Sequence, residues 1–282
     1  MNFKELRDLF ISEGAEFYNQ EEASALFYRM LDQLLGWSRT KAMTSLDTDI
    51  EASDLPKYLE VLEKLKTGKP IQYIFEETWF YGFPFKVNSA VLIPRPETEE
   101  LVYWIIEELK GANRNEGSLL DIGTGSGCIA VALKKSLDGF HVSALDVSVD
   151  ALEVAQYNAA MNKVVVNFIE ADILLYSGTE SFDLIVSNPP YIKEDEKPEM
   201  HENVLAHEPH RALFVSNENP LIFYKAIANF ALVHLNPQGL LFFEINEYLG
   251  KETVEMLEFK GFTRITLKKD MQGKDRMVSC MR

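Results

Sequence analysis

Ser118-Leu119-Leu120-Asp121-Ile122-Gly123-Thr124-Gly125-Ser126-Gly127 opens the part of the chain whose pattern decides the fold. Ser118 to Ile122 reads as a buried strand, and the apolar run from Ile129 to Leu137 reads as a helix. The glycines between them let the backbone turn tightly and approach a ligand closely. Downstream, strands and helices alternate. Strand His141 to Leu145 precedes helix Val149 to Met161, and strand Val164 to Glu170 precedes strand Phe182 to Ser187. A helix around Leu221 to Leu235 leads to strand Gly239 to Ile245, and a helix around Lys251 to Phe259 leads to strands Thr263 to Leu267 and Arg276 to Met281. This alternation predicts an α/β domain, a Rossmann-like, mostly parallel sheet with helices on both faces.

Upstream the pattern changes. Residues 1–70 read as a small helical bundle: Phe3, Leu6, Leu9 and Phe10 recur at helical spacing, as do Ala23 through Leu35 and Leu55 through Leu65. Gly36 is a helix stop, and Gly68 with Pro70 ends the last run. The stretch 71–92 contains the aromatic, turn-broken Trp79-Phe80-Tyr81-Gly82-Phe83-Pro84-Phe85 and predicts a β-hairpin linker. From residue 93 onward, Pro94 and Pro96 lead into a helix whose first turn carries Glu97, Glu99 and Glu100, where the helix dipole favours negative charge.

Apolar residues make up 46% of the 282, enough for a proper core, and no run of about 18 apolar residues predicts a membrane span. The charged start Met1-Asn2-Phe3-Lys4-Glu5-Leu6 has no signal-peptide apolar run, so a cytoplasmic enzyme is expected. The net charge of −16, from 44 acidic and 28 basic residues, counts against a broad phosphate-binding surface. It suits a protein partner or simply promotes solubility. Cys128 and Cys280 form no CxxC pair and have no nearby histidine, so no metal site is expected.

The turn Asp121 to Gly127 has GxGxG spacing, unlike the GxGxxG of dinucleotide binders. It is either a packed strand-to-helix turn or a cofactor cradle formed by Gly123, Thr124, Gly125, Ser126 and Gly127. Asp146, ending the second strand, suits acceptance of hydrogen bonds from both hydroxyls of a ribose, or a helix N-cap. Asp172 suits an exocyclic amine while Ile173 packs on a purine face, or else it is a turn residue. Together these features fit an adenosine with a small charged tail, and S-adenosylmethionine matches better than NAD. Asp121 lies near the expected position of the amino-acid portion.

Asn188-Pro189-Pro190-Tyr191 follows the fourth strand, where an open α/β sheet binds ligands. One reading is a proline-stiffened loop. The other is a rigid corner that receives an acceptor nitrogen attached to a planar group. In that reading the Asn188 amide and a backbone carbonyl accept its N–H bonds, and the aromatic ring of Tyr191 lies against its plane.

With this corner, several blocks resemble the release factor glutamine methyltransferases, the PrmC/HemK family. They are Gly68-Lys69-Pro70-Ile71-Gln72-Tyr73-Ile74, Val91 through Glu99, Asp121 to Gly127, Ser187 to Ile192, and Glu208-Pro209 through Ala212-Leu213. The resemblance implies an N-terminal helical domain that recognises release factors, a β-hairpin linker and a methyltransferase domain that uses S-adenosylmethionine. It implies methylation of the side-chain amide nitrogen of glutamine in a Gly-Gly-Gln motif. Asn188 Oδ1 and the Pro189 carbonyl would then accept the two amide N–H groups. Glu76 and Glu77 stand where a glycine is common in the family, and Asn246 where glycine is usual; both departures are expected to lie outside the reaction centre. Arg95, Glu97 and Glu208 either wall the acceptor pocket or form caps and salt bridges. Residues 193–211 are a lid, a partner surface or a solvated loop. The competing reading is a nucleic-acid amino-group methyltransferase, against which stand the acidic charge and N-terminal helices with no basic stripe. A non-catalytic binding protein of the same fold is disfavoured by the intact glycine turn, Asp146 and Asn188 corner.

Overall fold

A computed structural model describes residues 1–282, which form two compact units. The first comprises Met1–Glu76 with His201–His207, and the second Glu77–Met200 with Glu208–Arg282.

The first unit is helical: α1 (Phe3–Glu13), α2 (Gln20–Leu35), α3 (Arg39–Thr44), α4 (Leu55–Leu65) and α5 (Ile71–Phe75). Asn2 caps α1 in a reciprocal capping box with Glu5, and Asn19 caps α2, so these helix starts are written locally. Gly36 ends α2 in the left-handed region at φ 63°, as its place in the sequence predicts. Phe3, Leu6, Phe10, Phe27, Met30, Leu31, Tyr58, Leu62 and Leu65 meet in one buried core. A distant segment completes this unit. The Asn203 side chain donates to the Tyr18 hydroxyl at 3.4 Å, and His207 Nε2 donates to the Thr67 carbonyl at 2.9 Å.

The second unit begins with a hairpin, β1 (Glu77–Phe80) and β2 (Phe83–Lys86). Tyr81 and Gly82 at its tip both have positive φ, 50° and 77°, the geometry of a two-residue turn that matches strand twist. Glu99, on α6 (Pro96–Gly111), accepts the Tyr81 N–H at 2.8 Å and holds that turn. The main sheet contains β3 (Gly117–Ile122), β4 (Phe140–Asp146), β5 (Asn167–Glu170), β6 (Phe182–Ser187), β9 (Leu235–Glu244), β10 (Thr263–Lys269) and β11 (Asp275–Met281). Its order is β10-β11-β9-β6-β3-β4-β5. Neighbours from β9 to β5 are parallel, and β11 runs antiparallel to both β9 and β10. A small parallel pair, β7 (Ile192–Lys193) with β8 (Phe214–Val215), stands apart.

Alternation along the strands sorts side chains onto two faces. Leu119, Leu184 and Phe242 join α6 and α7 (Cys128–Ser136) in one core. Leu120, Ile185 and Phe243 join α10 (Ile222–His234) and α11 (Gly250–Phe259) in the other. The expected α/β sheet is therefore present. From β3 the chain passes to β4 and β5 on one side, then returns to β6 and β9 on the other. The reversal opens a crevice beyond the C-terminal ends of β3 and β6.

Some details differ from the sequence reading. Residues 71–75 are helix α5, not hairpin; Ile71, Ile74 and Phe75 recur at helical spacing and pack on the first unit's core. Glu76 caps α5 in the left-handed region at φ 54°, which explains why glycine suits this position. The strand expected from Val164 starts at Asn167, after Val164 N–H has donated back to the Ala159 carbonyl of α8 (Val149–Met161). Within 193–211 lie a 3-10 helix, Glu194–Glu199, and α9 (Glu202–His207).

Candidate active site

The crevice at the strand reversal is a cavity of about 390 Å³. Gly123, Thr124, Gly125 and Ser126 line it, together with Asp146, Asp172 and Ile173 and with Asn188, Pro189 and Pro190. The two groups share one cavity because β3 and β6 are adjacent; the Ser187 hydroxyl donates to the Ile122 carbonyl at 2.6 Å across their ends.

The glycine turn is shaped from below. Gly123 and Thr124 N–H groups donate to the Leu145 carbonyl at 2.8 and 3.0 Å, tying the turn to the end of β4. Gly123 and Gly125 have φ of +73° and +54°, and a Cβ on either would meet no atom within 4 Å. Since both line the cavity, a side chain there would fill the space left for a ligand. Gly127 has a different reason to be glycine: a Cβ would approach Ala155 of α8 at 3.0 Å. It packs two helices together and does not line the cavity.

Asp146 lies at the cavity while its Oδ2 accepts the Gly125 N–H at 2.8 Å and its Oδ1 the Ser148 N–H at 2.9 Å. It is not the cap of α8; Ser148 is. Each oxygen keeps a lone pair for a hydroxyl donor. Asp172 also borders the cavity, with Oδ1 accepting the Leu174 N–H at 2.9 Å. Asp121 does not border it. This carboxylate is fully buried under the turn, where Oδ2 accepts from the Thr124 hydroxyl at 2.6 Å and the Ala130 N–H at 3.2 Å. Its Oδ1 has no hydrogen-bond partner. Burial pushes its pKa up to about 7, against the pull of those two donors.

At the corner after β6 the amide of Asn188 is held by its nitrogen: Nδ2 donates to Thr98 Oγ1 at 3.3 Å. Thr98 in turn donates to Glu244 Oε2 at 2.6 Å, and the Tyr191 hydroxyl donates to Glu244 Oε1 at 3.1 Å. Glu244 is only 1% exposed, and burial raises its pKa while hydrogen bonds from Thr98 and Tyr191 and the charge of Arg276 oppose the rise. Tyr191 does not line the cavity: its ring packs against the core around α10, and its hydroxyl serves Glu244. The sequence reading places the ring against the acceptor's plane; in the structure it is partly buried against the core and is not among the residues that line the cavity. Burial and the nearby carboxylate raise the Tyr191 pKa.

Arg95 Nη2 meets Glu208 Oε1 at 2.6 Å, and Glu208 Oε2 accepts the Ile93 N–H at 3.3 Å. Glu208 is buried, so a paired charge pins the segment around Arg95 to the segment around Pro209, and residues of both wall the cavity. Glu97 is not in the wall; Gln272 donates to it at 3.1 Å. Asn246 lies closer to the site than its sequence position suggests, because its Nδ2 donates to the Tyr191 carbonyl at 3.0 Å and to Glu196.

Sequence reading missed Thr98, Glu244 and Asn158. Glu244 carried a signal, a lone carboxylate ending the otherwise apolar Leu240–Phe243 run, since a buried charge must be partnered. Thr98 lies in the Val91 through Glu99 block that carries the family resemblance, but nothing local singles out a threonine among the glutamates of a helix start. Asn158 is fully buried; it donates to the Lys86 carbonyl at 2.9 Å and the Ser126 carbonyl at 2.8 Å, and accepts the Lys86 N–H at 2.6 Å.

The methyltransferase small domain family matches residues 103–271, and the PrmC N-terminal domain family matches residues 14–75. The chain is similar to the release factor glutamine methyltransferase of Flavobacterium psychrophilum, with 48% identity over 99% of this chain and 98% of that protein. Its likeness to the release factor glutamine methyltransferase of Bacteroides thetaiotaomicron is 40% identity, over 95% of each. Among solved structures, a methyltransferase from Pyrococcus furiosus is alike in fold, with a TM-score of 0.53 and 18% identity over 81% of this chain and 98% of that one.

Proposed function

The chain belongs to the release factor glutamine methyltransferases, and we propose that it methylates the side-chain amide nitrogen of the Gly-Gly-Gln glutamine of peptide-chain release factors. S-adenosylmethionine is the proposed donor. One observation carries the reading: the Asn188–Pro190 corner and the Gly123–Ser126 turn open on the same cavity. That arrangement suits a donor on one side and an acceptor amide on the other.

The donor side fits the residues present. Gly123 and Gly125 leave room for backbone approach, Asp146 has lone pairs for ribose hydroxyls, and Asp172 with Ile173 suits an adenine edge and face. Asp121, under the turn, is assigned an electrostatic part toward the cationic tail, and Thr124, Ser126 and Gly127 shape the cradle. When bound, S-adenosylmethionine would supply an electrophilic methyl group, with S-adenosylhomocysteine as the leaving product and one proton lost from the methylated amide nitrogen.

An amide nitrogen is a weak nucleophile because its lone pair is delocalised into the carbonyl. The chain's contribution is therefore orientation. Asn188 Oδ1 and the Pro189 carbonyl accept the two N–H groups, which aims the nitrogen and stabilises positive charge as it develops on it. Orientation of this kind supplies up to about 7–11 kcal/mol in the best cases, and fixed dipoles add to it. Pro190 keeps the corner rigid, and Tyr191 acts from behind it. The helical unit is assigned to recognition of the release factor. We place the reaction in the cytoplasm, the setting of translation.

The test is transfer of labelled methyl from S-adenosylmethionine to purified release factor, beside a release factor carrying Gln→Ala in Gly-Gly-Gln. Label is expected on the first alone; equal labelling of both rejects the assigned target. Asn188→Ala is expected to abolish turnover while calorimetry still detects S-adenosylmethionine binding. Near-normal turnover in that variant rejects the role of Asn188.

A further inference from the structure

An asparagine amide is two-ended. Its oxygen accepts, its nitrogen donates, and a half-turn about the last side-chain bond exchanges them. Only one end serves an acceptor that itself brings N–H groups; the other sets donor against donor. The rigidity of Asn188-Pro189-Pro190 constrains the backbone of the corner, not this last torsion.

We propose that Thr98 and Glu244 are positioning residues that decide which end of the Asn188 amide faces the acceptor nitrogen. The inference rests on the reading of Asn188 as the group that accepts the acceptor's N–H. Its geometry is a chain of hydrogen bonds with one direction. With Glu244 ionised, the state that Thr98, Tyr191 and the charge of Arg276 favour against its burial, both hydroxyls touching it donate: Thr98 to Oε2 at 2.6 Å and Tyr191 to Oε1 at 3.1 Å. Thr98 has then spent its single hydrogen, and its oxygen can only accept. The atom of Asn188 that approaches Thr98 Oγ1 at 3.3 Å must therefore be the nitrogen. Oδ1 is left for the substrate.

The network is built to keep this direction. Glu244 is buried at the end of β9, and its main-chain carbonyl accepts the Tyr224 hydroxyl at 3.2 Å. Arg276 on β11 supplies opposing charge, while Glu97 on α6 is the acidic group acting against it. Tyr191 immediately follows the corner in the chain, so the carboxylate that orients Asn188 through Thr98 also restrains the corner's far side. Asn246 closes the loop by donating to the Tyr191 carbonyl at 3.0 Å.

Replacing either member removes the direction with little change of shape. Valine at 98 has no hydroxyl. Glutamine at 244 can donate to Thr98 Oγ1, which frees the threonine hydrogen to seek Asn188 Oδ1 and favours the wrong end. The experiment uses the full chain with release factor and S-adenosylmethionine, and measures kcat, KM for release factor and the dissociation constant of S-adenosylmethionine. Thr98→Val and Glu244→Gln are each expected to lower kcat about 10- to 100-fold, below the roughly 100- to 1,000-fold cost of removing a preorganised contact itself, because Asn188 remains. Both constants for binding should stay within about threefold, the mark of an interaction made in the transition state. Thr98→Ser should restore kcat, because the hydroxyl and not the methyl group carries the effect. Wild-type kcat in Thr98→Val or Glu244→Gln, alongside an inactive Asn188→Ala, overturns the relay and leaves the reading of Asn188 standing. An active Asn188→Ala overturns that reading and the relay with it. Loss of S-adenosylmethionine binding in both Thr98→Val and Glu244→Gln, or failure of Thr98→Ser to restore kcat, makes the network a structural brace and also overturns the relay.

Discussion

Asp121 combines complete burial with an oxygen that has no partner, and its folded-state pKa of about 7 lies far above the ordinary 3.8. A carboxyl whose pKa is raised on folding binds its proton more tightly in the folded chain. Its contribution to stability is complete below the unfolded value and is lost as pH rises through the folded one. Between about pH 4 and 7 the loss approaches 1.4 kcal/mol per pH unit. Unfolding by urea across this window should therefore show Asp121→Asn gaining on the wild type as pH rises; a difference independent of pH would overturn the assignment. Residues of this kind divide by legibility. The glycines, Asp146 and Asn188 were visible because the chain places them at strand ends in short motifs. Thr98 was not, and Glu244 showed only as a carboxylate in need of partners, because their meaning is a contact between α6 and the far end of β9.

At the scale of elements, the hairpin and the glycine turn are joined by one side chain. Asn158 of α8 satisfies the amide and carbonyl of Lys86 at the end of β2 and the carbonyl of Ser126 in the turn, through three hydrogen bonds. Asn158→Ala is expected to destabilise the protein by about 2–4 kcal/mol, since buried partners lose their hydrogen bonds. It should also weaken S-adenosylmethionine binding through the loosened turn. Thermal unfolding and calorimetry check the two effects, and unchanged binding would confine Asn158 to the fold. Hairpin strands and sheet strands were readable from alternation and turn residues. Helix α5 was not, because Ile71 to Phe75 is only a short apolar stretch and its packing in the first unit decides its conformation. The short helix α9 was hidden for the same reason: it has no buried face of its own in the sequence and is held by Tyr18 and Thr67 through Asn203 and His207.

Across the whole molecule, each unit carries its own core, and the cavity is lined entirely by residues of the second. No helix is long and apolar enough to cross a membrane. A ligand that binds the folded cavity stabilises by mass action, so S-adenosylhomocysteine at about 100 times its dissociation constant should add about 2.7 kcal/mol. The unfolding of the second unit should shift upward by several degrees in scanning calorimetry, and Asn188→Ala should keep that shift if its amide serves the acceptor. No shift in the wild type would contradict the cofactor assignment. The sequence by itself determined the helical and α/β divisions, the strand-turn-helix that starts the sheet, and the corner that follows its fourth strand. These are local patterns of period and turn chemistry, each written within a few tens of residues. Only the tertiary structure decided that the turn and the corner share one cavity, that Tyr191 turns to Glu244, and that Thr98 stands between that carboxylate and Asn188. A buried charge and its donors find one another through the order of strands in the sheet, and strand order is a property of packing that no single stretch of chain contains.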